Sequence, residues 1–243
     1  MIEAILFDLD DTLLGNDIDK FIPHYFGLLG QYAAERIEPQ EFFQILQIGT
    51  DAMISNQDTA VSNRDVFWST FEHLSNQDPA EMESFFNIFY ATQFNQLEKF
   101  TTCLPTANPL IKACFAKGLK VVIATNPLFP RSAIEARLRW AQIPITEFDY
   151  NLITTYTNMH AAKPNQSYYL EILDKIDCVL EKALMVGDDW ANDIEPATAI
   201  GLHTYGIEWP QKANQDLSLP TASGTLAALY ARVQAGWLES LGV

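Results

Sequence analysis

The chain has 243 residues, of which 48% are hydrophobic and 19% are charged, and its formal net charge is −16. A chain of this length can form one or two domains and bury a substantial core. The excess of acids disfavours nucleic acids and anionic membranes as partners, because binding to either requires basic patches. The same acidity suits a protein that captures a divalent cation.

The cysteine pattern and the N-terminus indicate a cytoplasmic protein. Cys103, Cys114 and Cys178 lack the spacing of metal ligands, and we expect them to be reduced thiols. The first residues do not show the basic and then apolar pattern of a signal peptide. No apolar run approaches the ~20 residues that a transmembrane helix requires. The sequence contains no feature that specifies an oligomeric state.

The N-terminal stretch contains the pattern on which the functional prediction depends. In residues 2–14, IEAILFDLDDTLL, a short apolar run ends abruptly in three carboxylates. This pattern is typical of a buried parallel strand that opens onto an active site at its carboxyl end. Asp8 and Asp10 are two residues apart and point to the same side of an extended backbone. Two carboxylates this close repel each other, so we expect a metal ion or a lysine beside them.

Residues 15–100 are predicted to be helical, without a strand. Apolar residues recur at helical spacing in 18–33, from Glu38-Pro39 onward and in 64–75. The segment Asp78-Pro79-Ala80-Glu81 combines a capping acid, a proline in the first turn and a glutamate three residues after the cap. An aromatic stripe from Phe85 to Phe94 follows, and we interpret it as the core of a small helical bundle rather than a substrate pocket.

Strands and helices alternate in the remainder of the chain. Strands are predicted over 119–124, 148–154, 183–186 and 203–207, and helices over 110–117, 131–141, 167–176, 193–200 and 224–238, with a loop over 208–223. This alternation predicts a Rossmann-like, doubly wound parallel sheet in an α/β fold. The predicted domains are therefore a Rossmann-like catalytic core of residues 1–14 and 101–243 and an inserted helical cap of residues 15–100.

Four polar clusters follow predicted strands or lie in loops, and a parallel sheet would bring the strand-end clusters to one edge. They are Asp8/Asp10/Thr12, Thr125/Asn126, Lys163-Pro164 and Asp188/Asp189/Asp193. The motifs around them are DLDDTL (8–13), GLKVVIATN (118–126), KP (163–164) and GDDWANDI (187–194). In this order and spacing they resemble the haloacid dehalogenase superfamily of hydrolases, in the branch with a helical cap after the first motif.

The resemblance implies phosphoryl transfer through a covalent intermediate. Asp8 matches the nucleophile that attacks phosphorus and becomes an aspartyl-phosphate. Asp10 matches the residue that protonates the leaving alkoxide and then activates water. Phosphatases of the superfamily have this second aspartate, whereas the dehalogenase branch lacks it. Lys163 matches the catalytic lysine that adds a positive charge beside the nucleophile and the phosphoryl oxygens.

The resemblance also implies a magnesium site and a phosphate-binding loop. Asp8, the backbone carbonyl of Asp10 and Asp188 match the Mg²⁺ ligands, and the ion offsets repulsion between carboxylate and phosphate. The phosphoryl oxygens are expected to bind Lys163, the hydroxyl of Thr125 and backbone amides, including those of Leu9 and Asn126. Three further residues are expected to orient the metal ligands and Lys163 without touching the substrate: Thr12, Asp189 and Asp193. For Asp189, a water-mediated metal contact and a helix cap both remain open.

The sequence thus predicts a Mg²⁺-dependent phosphatase that hydrolyses a small phosphorylated metabolite. A phosphomutase, which would transfer the phosphoryl group on a sugar phosphate, is the alternative enzyme. A catalytically idle binding protein on the same fold is the alternative from another class, and the intact set of acids and lysine argues against it. Between residues 15 and 100 there are four basic residues and thirteen acids, which is a poor match for a polyanionic substrate. The sequence does not name the substrate.

Overall fold

A six-stranded parallel sheet forms the centre of the molecule. The computed structural model describes residues 1–208 and 220–241. Its strands are β1 (Ala4–Phe7), β2 (Leu14–Asn16), β3 (Thr101–Cys103), β4 (Lys120–Ile123), β5 (Leu152–Ile153), β6 (Ala183–Gly187), β7 (His203–Ile207) and β8 (Ala222–Gly224). The sheet has the order β5-β4-β1-β6-β7-β8, and β2 and β3 form a separate antiparallel ribbon.

Helices follow the strands of the sheet and fill the segment between β2 and β3. They are α1 (Ile18–Ala33), α2 (Pro39–Ser55), α3 (Asn63–Ser75), α4 (Pro79–Ala91), α5 (Ala107–Ala116), α6 (Arg131–Trp140), α7 (Gln166–Lys175), α8 (Glu195–Ala199), α9 (Leu226–Gln234) and α10 (Trp237–Ser240). Shorter turns are 3₁₀ over Gln93–Phe100 and Leu180–Lys182, and π-helical over Trp190–Ile194. In the described part of the chain, no helix combines the length and apolar character that a membrane span requires.

The central position of β1 explains why polar residues meet at one edge of the sheet. All four residues of β1 are buried, as expected for a strand with neighbours on both sides. Phe7 is in register with Ile123 of β4 and with Val186 of β6, and both pairings are parallel. The three strands therefore end side by side, and the residues that follow them emerge together. The predicted α/β fold with a parallel, Rossmann-like sheet is confirmed.

One predicted strand is shorter than expected, and one observed strand was not predicted. The strand predicted over 148–154 is limited to β5, and β7 is followed by an eighth strand, β8, that the sequence pattern did not indicate. The sequence of β8 is Ala-Ser-Gly, so it has no apolar alternation, and it forms a strand only because β7 offers an edge for pairing. Most of the loop predicted over 208–223 lies outside the described residues.

The segment between β2 and β3 consists of α1 to α4 and the turn Gln93–Phe100. Helix α4 begins where the sequence predicts, and the Asp78 side chain accepts a hydrogen bond from the backbone N–H of Glu81 at 2.8 Å. The expectation of no strand near residue 15 was wrong, because β2 pairs with β3 where the chain leaves and re-enters the sheet domain. We retain the division into a core and a helical cap, with the boundaries given above, as a proposal.

Asn63, the first residue of α3, joins the helical segment to the loop that precedes Lys163. It is completely buried, and its Nδ2 donates to the backbone carbonyl oxygens of Pro127 (3.4 Å) and Ala161 (3.2 Å). Its backbone N–H donates to the carbonyl of Met159 at 2.8 Å. The amide side chain therefore connects two loops of the sheet domain to the start of α3.

We expect Asn63→Ala to lower the free energy of unfolding by about 1–3 kcal/mol, because two carbonyl groups would lose their buried donor. Ser69→Ala, on the exposed face of the same helix, is the matched control and should change it by less than about 0.5 kcal/mol. Urea denaturation measures both. Equal effects of the two substitutions would contradict a connecting role for Asn63.

Candidate active site

Asp8 follows β1 and lies beside two residues that are distant in the sequence. Its backbone N–H donates to the carbonyl of Val186 at 2.9 Å, which continues the pairing of β1 with β6. Its Oδ1 is 2.7 Å from Nζ of Lys163, and only 13% of the Asp8 side chain is exposed. The same Nζ is 2.6 Å from Oδ1 of Asp193. The buried ammonium group of Lys163 therefore binds two carboxylates at once.

The loop that contains Lys163 is fixed to the end of β4. The backbone N–H of Lys163 donates to Oδ1 of Asn126 at 3.2 Å. Thr125 is buried, and its backbone carbonyl accepts hydrogen bonds from the hydroxyls of Thr154 (2.6 Å) and Tyr168 (2.9 Å). These contacts hold the strand end and the lysine loop together. The phosphate-binding roles of Thr125 and Asn126 stay predictions.

The acids that follow β6 complete a cluster around Asp8. Asp8, Asp188 and Asp193 each place a carboxylate oxygen within 4.8 Å of the others. The Thr12 hydroxyl donates to Oδ1 of Asp188 at 3.2 Å. Lys163 pairs with Asp8 and Asp193, and when all three carboxylates of the cluster are ionised, one ammonium group leaves an excess of two negative charges. Oxygen ligands with this excess of charge fit Mg²⁺.

The electrostatics of the cluster follow from burial and from mutual repulsion. Burial raises the pKa of Asp8 to about 7; Lys163 opposes the shift and Asp193 adds to it. Burial raises the pKa of Asp188 to about 6, with further increases from Asp8 and Asp11. Burial alone would lower the pKa of Lys163, but Asp193 and Asp8 outweigh it and hold that pKa well above its usual value. Lys163 is therefore a permanent cation.

Asp189 caps the turn that follows β6. Its Oδ1 accepts hydrogen bonds from the backbone N–H groups of Ala191 (2.8 Å) and Asn192 (3.1 Å). Its own N–H donates to Oδ2 of Asp193 at 3.2 Å, which orients the carboxylate that binds Lys163. Of the two readings of Asp189, the helix cap is the one present among the described contacts. A water-mediated metal contact stays a prediction.

Asp10 has a different set of partners and lies outside the cluster of three acids. Its Oδ2 accepts a hydrogen bond from Nη1 of Arg137, and its Oδ1 accepts one from Nδ2 of Asn16 at 3.3 Å. The predicted metal contact of Asp10 uses its backbone carbonyl, so the orientation of its side chain does not bear on it. Leu9 is fully buried, so only its backbone can serve the predicted phosphate site.

Arg137 is the site residue that sequence reasoning missed. It lies on α6, in none of the four motifs, and only 4% of its surface is exposed. Its neighbours on that helix are buried apolar residues, among them Ala133, Ile134, Ala136 and Leu138. A charged residue on an apolar helix face needs a buried partner. An arginine among the apolar residues of the helix predicted over 131–141 was the signal in the sequence that could have identified it.

The comparisons with known proteins agree with this geometry. The sequence model of the haloacid dehalogenase-like hydrolases matches residues 2–201, so the chain belongs to this family of hydrolases. The pyrophosphatase PpaX of Bacillus velezensis is 25% identical over 218 residues, which cover 89% of this chain and 88% of that protein. Haloacid dehalogenase-like hydrolase domain-containing protein 3 of Danio rerio is 24% identical over 241 residues, which cover 95% of this chain and 96% of that protein.

Solved structures share the fold over nearly the whole chain. A HAD phosphatase from Thermococcus onnurineus has a TM-score of 0.58 at 18% identity and covers 97% of this chain and 98% of its own. A 2-haloacid dehalogenase from Pseudomonas syringae pv. Tomato DC3000 has a TM-score of 0.64 at 22% identity, with 98% and 100% covered. At these identities the likeness establishes the fold alone.

We expect Mg²⁺ to raise the melting temperature more at about pH 8 than at about pH 5. The folded pKa values of Asp8 (about 7) and Asp188 (about 6) lie above the unfolded value of about 3.9. Without metal, their contribution to stability is complete below about pH 4 and is lost as the pH rises through 6 to 7. Bound Mg²⁺ offsets the repulsion that develops there. Scanning fluorimetry with and without Mg²⁺ measures both shifts.

Asp188→Asn should reduce the Mg²⁺-dependent shift, whereas Asp174→Asn, the same change at an exposed position of α7, should leave it unaltered. A shift that is equal at both pH values and equal in both variants would contradict the assignment of the ion to this cluster.

Gly187→Ala should displace Asp193 and weaken its hold on Lys163. A Cβ at position 187 would overlap the carboxylate and the Cβ of Asp193, which is buried and has no space to move. We expect a large fall in kcat, measured by steady-state kinetics, with only a small change in the melting temperature, measured by thermal unfolding. Gly27→Ala, at a glycine whose added Cβ would meet nothing within 4 Å, is the control. Wild-type activity in Gly187→Ala would show that Asp193 is dispensable.

Proposed function

We propose that the protein is a Mg²⁺-dependent phosphatase that hydrolyses a small phosphorylated metabolite through an aspartyl-phosphate intermediate. The observation that carries the proposal is the position of Asp8. Its carboxylate lies at the end of the central strand, 2.7 Å from a permanent cation and within 4.8 Å of two further acids. A carboxylate can approach a phosphate dianion only where positive charge compensates both groups.

The proposed reaction has two steps, and the proton that Asp10 gives up in the first returns to it in the second. A carboxylate oxygen of Asp8 would form a bond to phosphorus while the bond from phosphorus to the ester oxygen breaks, and Asp10, once protonated and released from Arg137, would give its proton to the departing alkoxide. Water then attacks the phosphorus of the aspartyl-phosphate, Asp10 takes up the proton of the water, and Asp8 is released as a carboxylate. Mg²⁺, held by Asp8, the backbone carbonyl of Asp10 and Asp188, would supply electrostatic stabilisation of the phosphoryl oxygens.

The residues around this pair would position the groups that react. Lys163 would bind a phosphoryl oxygen together with Asp8, and Asp193 would hold its ammonium group in place. The Thr125 hydroxyl and the backbone amides of Leu9 and Asn126 would bind the remaining phosphoryl oxygens. Thr12 would orient Asp188 through its hydrogen bond to that carboxylate. Asp189 would orient Asp193 in the same way.

The presence of Asp10 supports phosphoryl transfer rather than dehalogenation as the reaction. A halide ion leaves without a proton, whereas an alkoxide needs one, so an acid beside the nucleophile has a use only in the second reaction. The relative named pyrophosphatase PpaX also supports hydrolysis of a phosphate compound. The helical segment of residues 15–100 would act as a cap that excludes bulk water and contacts the organic part of the substrate.

We expect Asp8→Asn to reduce phosphate release from 4-nitrophenyl phosphate to below about 1% of the wild-type rate, because an amide is not a nucleophile toward phosphorus. Asp174→Asn is the control for the same change of charge at an exposed site. EDTA should abolish the wild-type activity, and added Mg²⁺ should restore it. Full activity in Asp8→Asn would contradict the proposal. With a sugar phosphate as the substrate, recovery of its isomer without free phosphate would identify a phosphomutase instead.

A further inference from the structure

A large cavity lies between the helices of the cap and the loop that follows β4. Its volume is about 640 Å³, which falls within the roughly 300–1,000 Å³ of small-molecule sites. Aromatic side chains make up much of its wall, among them Tyr25, Phe43, Trp68, Phe86, Tyr90 and Phe129. Phe86 and Tyr90 belong to the aromatic stripe of α4, which we interpreted as core alone. The stripe also forms a cavity wall.

The cavity is larger than the voids that a packed core leaves. Interiors of proteins have few empty spaces bigger than a water molecule. Two apolar residues of α1 that line this cavity, Ile22 and Phe26, remain 38% and 40% exposed. They are thus not covered by neighbouring helices, although an apolar side chain gains from burial. An apolar ligand in the cavity would complete their burial.

One wall of the cavity borders the proposed general acid. Phe129 lines the cavity, and the guanidinium carbon of Arg137 lies 4.8 Å from the centre of its ring. Nη1 of the same Arg137 donates to the carboxylate of Asp10. The contacts of Phe129 and Arg137 therefore link the wall of the cavity to Asp10. Because Asp10 would protonate the leaving group, these contacts place the cavity near the organic part of a substrate.

The charges of the wall define what the cavity can accept. None of the described residues that line it is a lysine, an arginine or a histidine, and its acids are Asp51 and Glu83. Glu83 already binds Arg64 and accepts a hydrogen bond from the Tyr156 hydroxyl at 2.6 Å. Asp51 is exposed and therefore belongs to the rim. A second phosphate or a carboxylate would find no cation to pair with among the described residues of this wall, and an unpaired charge is costly to bury.

We propose that this cavity binds the organic group of the substrate, and that this group is apolar, aromatic or long aliphatic, and carries no negative charge. The inference rests on the proposed function, since it assigns the leaving-group side of the same reaction. It distinguishes this chain from enzymes that act on substrates with an anionic leaving group, such as pyrophosphate.

The substrate test compares three phosphates at saturating Mg²⁺. 2-Phenylethyl phosphate and glycerol 3-phosphate both release an alkoxide, so they differ in the polarity of the organic group rather than in the reactivity of the ester. We expect kcat/KM for 2-phenylethyl phosphate to exceed that for glycerol 3-phosphate by about tenfold or more, which is the usual effect of filling an apolar pocket. Pyrophosphate should be the poorest of the three.

A pair of variants on α2 tests the place of binding. Leu46 lines the cavity, whereas Ile48 is 49% exposed on the same helix and does not. Leu46→Trp should narrow the cavity and raise KM for 2-phenylethyl phosphate about tenfold, and it should lower kcat/KM for the smaller glycerol 3-phosphate by clearly less. Ile48→Trp is the matched control and should alter neither. Thermal unfolding of both variants, compared with the wild type, shows independently of activity that each is folded.

Direct binding separates the cavity from catalysis. Calorimetry should detect binding of 2-phenylethanol, the product alcohol, to the wild-type protein and a weaker affinity for Leu46→Trp. Preference for pyrophosphate or glycerol 3-phosphate, absence of 2-phenylethanol binding, or equal effects of the two tryptophan substitutions would overturn the inference while leaving a phosphatase in place. If no phosphate is released from any of the three compounds, the proposed function fails, and the binding of the alcohol alone decides the role of the cavity.

Discussion

The ammonium group of Lys163 lies between the carboxylates of Asp8 and Asp193, at 2.7 and 2.6 Å, and the site depends on this contact. Acids held this close in a buried position repel one another strongly, and without a cation they would take up protons. One lysine compensates part of the charge, and the excess that remains fits a divalent ion. In the proposed reaction, the same arrangement that makes the site costly to fold would let a carboxylate approach a phosphate.

The fold holds this cluster by the parallel register of its central strands. Because β1, β4 and β6 end at one level, Asp8 and Asp188 emerge together, and Thr125 follows β4 beside them. Hydrogen bonds then hold the surrounding loops together: the backbone N–H of Lys163 donates to Asn126, and the backbone N–H of Asp189 donates to Asp193. The acids and Lys163 thus follow the ends of the central strands or lie in loops bonded to them, while residues 15–100 contribute most of the lining of an apolar cavity.

The parts of the molecule that short patterns encode were predictable, and the parts that depend on packing were not. Asp8 and Asp188 follow apolar strands directly, so their convergence was expected from the sequence. Arg137 lies within a helix, and only the packing of that helix brings it to Asp10. The strand β8 consists of Ala-Ser-Gly and forms through pairing with β7. The cavity likewise has no sequence signal, because an aromatic stripe at helical spacing looks the same whether it fills a core or lines a pocket.

The most direct measurement of the central claim is the identification of the phosphorylated residue during turnover. The enzyme is mixed with a phosphoester and Mg²⁺, quenched in acid and digested, and the peptides are analysed by mass spectrometry. The account predicts a phosphoryl group on the peptide of residues 2–14, located at Asp8 and absent from Asp8→Asn. A phosphoryl group on another residue, or rapid turnover with no phosphorylated peptide at any quench time, would contradict it.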